Sequence, residues 1–152
     1  MHTILLQSDQ QFTVAIMALF LTVLPFLLVI AVIGIVSHWI IFTKAGKEGW
    51  EVLIPIYGTL VLLKIVGKPW WWILLLCIPF LNIIWAIWMM NMLSKSFGKD
   101  EGFTAGLVLL GYIFFPILAF SKAQYQGPFG DPVAYKAFQE AKHSFDFEQK
   151  PA

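Results

Sequence analysis

Apolar residues run without a formal charge from Phe12 to Phe42, well beyond the roughly 20 residues that cross a hydrocarbon core. The pattern predicts a long membrane helix over about 12–42, tilted or continued into the interface, with Pro25 and Gly34 as tolerable kink points. Lys44-Ala-Gly-Lys-Glu-Gly49 closes it. A second apolar segment, about 52–66, is cut by Pro55 and Gly58 and carries Lys64. Past Pro55 only roughly 18 Å of helix remains before Gly67. An interfacial or re-entrant helix fits that length, with a fourth crossing as the alternative. Lys68-Pro69 opens the next span, over about 69–93, with proline in the first helical turn. Pro79 interrupts its ladder, and Asn82, one turn later, is placed to satisfy freed backbone groups. The last span covers about 103–120, follows the favourable N-terminal acids Asp100 and Glu101, and contains Pro116.

After Lys122 the polarity changes. Asp131-Pro132 is a good N-cap and first-turn pair, and Val133, Ala137, Phe138, Ala141 and Phe145 recur at helical spacing. A short amphipathic helix is expected there, followed by an extended or disordered end from Phe145. The expected fold is thus all-α: an integral membrane helical bundle with three transmembrane helices, a short helix over 52–66 and an amphipathic C-terminal helix. Residues 1–122 form the membrane domain and 123–152 a soluble tail.

Composition supports that class. The chain is 59% hydrophobic with a mean hydropathy of +0.78, and 12% of its residues are charged. Soluble domains are nearer half apolar and a quarter charged, and one of this size exposes too much surface to hide such a composition. The net charge of +1, with Lys as every one of the ten basic residues, speaks against a nucleic-acid partner and against bidentate anion recognition. Trp50, Trp70, Trp71 and Trp72 read as anchors at the membrane interface. The N-terminus lacks a basic signal-peptide region, so the first span is expected to be retained.

Lysine placement orients the bundle. With three spans, Lys44, Lys47, Lys64 and Lys68 share a side with Lys122, Lys136, Lys142 and Lys150, while Lys95 and Lys99 fall opposite. That favours an external N-terminus and a cytoplasmic tail.

Candidate chemistry is sparse. His2, His38 and His143 have no metal-ligand spacing, Cys77 is a lone small hydrophobe, and no catalytic or dinucleotide fingerprint occurs. No catalytic, cofactor-binding or metal residues are therefore expected. His38 is the most polar point of the first span, a functional candidate or a headgroup-level histidine. Lys64 needs a partner such as Glu51 or a water path if its segment crosses, and snorkels if it lies in the interface, the reading we favour. Asn82 and Asn91 face nearly opposite azimuths and suit helix–helix hydrogen bonds. In the tail, Phe138, Phe145 and Phe147 are candidate partner-binding residues, the plainer role being a helix lying on the protein or the membrane surface.

An ordered set of segments carries a resemblance: Lys44-Ala-Gly-Lys-Glu-Gly-Trp50, Leu53-Ile-Pro-Ile-Tyr57, Leu63-Lys-Ile-Val-Gly-Lys-Pro-Trp-Trp-Trp72, Ile78-Pro-Phe-Leu-Asn-Ile83, Lys95-Ser-Phe-Gly98, Phe115-Pro-Ile-Leu-Ala-Phe120 and Ala123-Gln-Tyr-Gln-Gly-Pro128. Over about 43–128 the chain resembles an uncharacterised small bacterial membrane-domain family. In some bacteria such a domain precedes signal peptidase I in one chain. The resemblance implies a bacterial cytoplasmic-membrane location and a link to protein export, without the protease's catalytic domain. The expected function is a non-enzymatic accessory or scaffold subunit that binds the lipid bilayer and other integral membrane proteins, with a small oligomeric channel or transporter as the alternative.

Overall fold

A computed structural model describes the backbone of residues 2–148 and the side chains of residues 10–145. The described residues are all-α. The helices are α1 (His2–Lys44), α2 (Pro55–Val66), α3 (Trp72–Leu76), α4 (Leu81–Ser96), α5 (Glu101–Leu109), α6 (Gly111–Phe120) and α7 (Pro132–Glu148), with a 3-10 helix at Gly49–Leu53. The chain divides into two units, residues 1–33 and residues 34–152.

The first unit lies wholly within α1. Over Gln10–Lys44 this helix reaches a mean hydropathy of 3.0, and its most apolar window is entirely exposed. Among the described residues it is the one helix long and apolar enough to cross a membrane. A helix that is apolar all round has no polar face to offer water. Even Thr22 turns its hydroxyl inward, donating to Ala18 O and Leu19 O at 3.0 Å each.

The second unit builds a core from the C-terminal turns of its helices. Ile41 and Phe42 of α1 meet Leu63 and Val66 of α2, Leu93 of α4 and Leu118 of α6, all essentially inaccessible. Three of these helices stop by the same device. Gly46, Gly67 and Gly98 take positive φ (72°, 80° and 67°), a region an L side chain resists. The lysine after each glycine reaches back five residues: Lys47 N to Phe42 O, Lys68 N to Leu63 O and Lys99 N to Ser94 O, at 2.8–3.0 Å. These lysines thereby collect their charge at negative helix ends.

A strap over residues 121–131 ties the capped ends together. Gln126 N donates to Ser96 O at 2.7 Å, Phe129 N to Ser96 Oγ at 3.2 Å, and Gly130 N to Val66 O at 2.7 Å. Helix α7 follows, capped by Asp131 Oδ1, which accepts from Val133 N and Ala134 N. It docks back on the strap through Gln139 Nε2, which donates to Gln126 O at 2.6 Å.

Between the caps the chain dips away and returns. Helix α5 starts beside the end of α4, where Ser94 Oγ donates to Asp100 O. Helix α6 ends at Ser121, whose carbonyl oxygen accepts from Lys44 Nζ. The two form a helical hairpin reversing at Leu110, with Phe103 and Phe114 in edge contact at 5.1 Å and the Phe114 ring seated on Gly106. Helices α3 and α4 form a second hairpin, reversing over residues 77–80, where Phe80 holds φ at 71°. The reversals are apolar and bare: Phe80 is 89% exposed and Leu109 is 80% exposed.

Several expectations are corrected by this topology. The segments over 69–93 and 103–120 are not continuous helices, because each folds back on itself. At nine and ten residues, α5 and α6 extend about 15 Å, half of a hydrocarbon core about 30 Å thick. Lys99 does not lie apart from Lys44, since it is close enough to act electrostatically on it. Helix α7 continues to Glu148, so the backbone after Phe145 is helical rather than extended.

Candidate functional site

The capped end of the second unit carries its charges and its longest-range polar contacts. Lys44, in the last turn of α1, donates through Nζ to Leu118 O at 3.2 Å and Ser121 O at 2.6 Å. A lysine of one helix thus satisfies terminal carbonyls of another, groups that otherwise have no intrahelical partner. Tyr125, on the strap, donates its hydroxyl to Ile65 O at 2.5 Å and packs edge-on between Phe97 and Phe138. Burial pushes its phenol from the usual 10.0 up to about 12. Lys44, Ser121, Lys122, Tyr125, Phe138 and Lys142 border a cavity of about 390 Å³.

A tryptophan cluster flanks this end. Trp72, Trp85 and Trp88 lie with ring centroids 5.1–5.6 Å apart, and Lys68 Nζ sits 4.9 Å from the Trp72 ring. Such a cation over an indole face is attracted by the ring quadrupole. Trp72, one of the four expected anchors, is buried in the core. Trp50, Trp70 and Trp71 are exposed, and Trp50 stacks on Tyr57 at 6.2 Å.

The four intramembrane polar candidates are not brought together. His38 stacks on Phe115 at 4.3 Å, and its Nδ1 donates to Gly34 O at 2.8 Å. It borders an apolar groove of about 420 Å³ with Leu109, Tyr112, Phe115 and Pro116. Lys64, Asn82 and Asn91 do not line that groove; Lys64 and Asn82 are exposed, and Asn91 is half-buried. Glu51 does not pair with Lys64: it is buried, and its Oε2 has no hydrogen-bond partner among the described residues.

In the tail, Phe138 packs against Tyr125 and Gly127, whereas Phe145 is 65% exposed. The side chain of Phe147 lies outside the described residues. Among the described residues no group of three or more His, Cys, Asp or Glu is placed to hold a metal. Sequence reading missed Lys44 and Tyr125 as organising residues, because both act on backbone carbonyls more than 50 positions away. The available signal was their place within the ordered segments, Lys44 opening the first and Tyr125 standing in the last.

A family described as of unknown function (DUF5684) matches residues 50–128, from within the 3-10 helix into the strap. Neither the curated proteins nor the solved structures contain a match to the chain.

Proposed function

The chain belongs to this family of unknown function, and from that premise we propose that it acts as a non-enzymatic accessory or scaffold subunit of a larger membrane-protein complex. In this reading α1 crosses the cytoplasmic membrane of a bacterium once. The α3–α4 and α5–α6 hairpins enter one leaflet from the capped side, which with α7 faces the cytoplasm. Gathering of Lys47, Lys68 and Lys99 at one end supports that orientation, since lysines concentrate on cytoplasmic faces.

The observation that carries the reading is the bare helix of residues 10–33, apolar and exposed around its circumference. Gln11, Ala15, Ala18 and Thr22 fall on one face at helical spacing, and small residues let a second helix approach closely in lipid. The partner is thus another integral membrane protein. The likeness to a domain fused ahead of signal peptidase I supports protein export as the process served.

Purification in mild detergent at native expression level, with mass spectrometry of co-purifying chains, tests this. A stoichiometric membrane-protein partner, lost when Ala15 and Ala18 are both changed to Phe, is expected. A lone homo-oligomer would sink the accessory reading. Ion flux through such oligomers in liposomes, abolished by Lys64→Met, would establish the channel in its place.

A further inference from the structure

The cavity at the capped end has a composition unlike the rest of this apolar chain. Lys44, Lys122 and Lys142 border it together with the hydroxyl-bearing Ser121 and Tyr125, and no acid among the described residues contributes to its wall. Lys99 adds a fourth positive charge within electrostatic reach of Lys44. Three acids of this unit have partners of their own. Asp100 Oδ1 accepts from Phe103 N, Glu101 pairs with Lys95 at 3.1 Å, and Asp131 caps α7. The negative end of α6, which would oppose an anion, is already met by two of the three Lys44 protons. One proton of Lys44 remains, and Lys142 makes only a long 3.4 Å contact to Gln126 Oε1.

The geometry points to this cavity as a binding site for a phosphate-class anion, and specifically for the headgroup of an anionic phospholipid. Ordinary surface lysines spread out to lower their repulsion; here they converge from α1, the strap and α7 on about 390 Å³. That convergence concentrates positive charge which a phosphate diester would neutralise. A lipid fits better than free phosphate because the polar wall continues directly into apolar surface. Phe138 lines the cavity, and Phe120, next in the chain to the lining Ser121, is exposed. Lysine suits the task, as a point charge that binds a headgroup without demanding fork geometry. This inference rests on the membrane residence proposed above but not on the accessory role.

The test uses the full chain in mild detergent and in vesicles. Native mass spectrometry would compare retained phosphatidylglycerol with phosphatidylcholine of the same acyl length, for the wild type and for the K122Q/K142Q variant. Phosphatidylglycerol is expected to be preferred, and the double variant to lose about 25-fold in its retention. That is about fivefold per lysine, or about 1 kcal/mol each at tenfold per 1.4 kcal/mol. A K47Q/K136Q variant, altering exposed lysines outside the cavity, is expected to keep the preference. Equal retention of both lipids, or equal loss in the two double variants, would overturn the site. Displacement of phosphatidylglycerol by millimolar inorganic phosphate would overturn the lipid as its occupant. Flotation with phosphatidylcholine vesicles separates the two readings. A chain that floats without lipid selectivity loses only this site, whereas one that fails to float loses membrane residence and the site with it.

Discussion

Gly67 shows how a single position joins the local code to the tertiary fold. Its φ of 80° ends α2, and a Cβ there would lie 2.8 Å from Pro128 Cβ on the strap. Gly67→Ala therefore meets both a backbone penalty and a packing clash, and about 2–4 kcal/mol of destabilisation is expected in denaturant unfolding of the detergent-solubilised protein. Gly34→Ala, where nothing lies within 4 Å, is the control and is expected to be neutral or slightly stabilising. Lys44→Met removes two charge-assisted hydrogen bonds to α6 carbonyls, and the same assay is expected to show a loss of about 1.5–3 kcal/mol. Tyr125 supplies a pH signature. Its phenol titrates at about 12 when folded and near 10.0 when unfolded, so its contribution is complete below 10.0 and is lost as pH rises to about 12. Tyr125→Phe is expected to flatten that part of the alkaline stability curve and to remove the last phenolate transition in ultraviolet absorbance.

The helices were legible to different degrees. The long apolar run of α1 and the proline-led start of α2 are plain, since no other element suits such stretches. The Asp131-Pro132 start of α7 is equally local, because the cap and its donors lie within three residues. The hairpins were not legible. A run such as 103–120 has the apolarity of a crossing helix, and only packing reveals the reversal at Leu110. Gly106 allows it, by leaving room for the Phe114 ring where a larger residue would collide. Gly106→Leu is accordingly expected to cost about 1–3 kcal/mol. Combining it with Phe114→Ala should recover part of that loss, and a double-mutant cycle measures the coupling. Independent, additive losses would count against the hairpin. The α3–α4 reversal had a visible mark in Pro79, but that signal fits a kink as well as a fold-back.

For the molecule as a whole, the difference between three crossings and one is the side on which Lys99 and Lys122 emerge. Three crossings put them on opposite sides, while the α5–α6 hairpin returns both to one end. The chain has a single cysteine, Cys77, so a Cys77→Ala background accepts one probe at a time. Lys99→Cys and Lys122→Cys are expected to react with a membrane-impermeant maleimide from the same face of oriented vesicles. Labelling from opposite faces would restore the three-span arrangement. Cys77 itself lies exposed at the α3–α4 reversal. In vesicles it is expected to be shielded from that reagent, and in detergent to become reactive.

The sequence by itself determined that this chain is helical and that its long N-terminal apolar run suits a membrane. Composition and periodicity are local properties, and lipid tolerates such a run as nothing else does. It also marked the helix ends, since glycine, lysine, aspartate and proline act within a turn of where they stand. What only the tertiary structure decided is how far each segment travels before returning. That depends on pairings such as Lys44 with Ser121 and Tyr125 with Ile65, which join residues 77 and 60 positions apart. The same pairings draw dispersed lysines to one end and shape the open cavity they border. No pattern of apolar and polar positions records such a meeting, because it is fixed by which helix ends share one core.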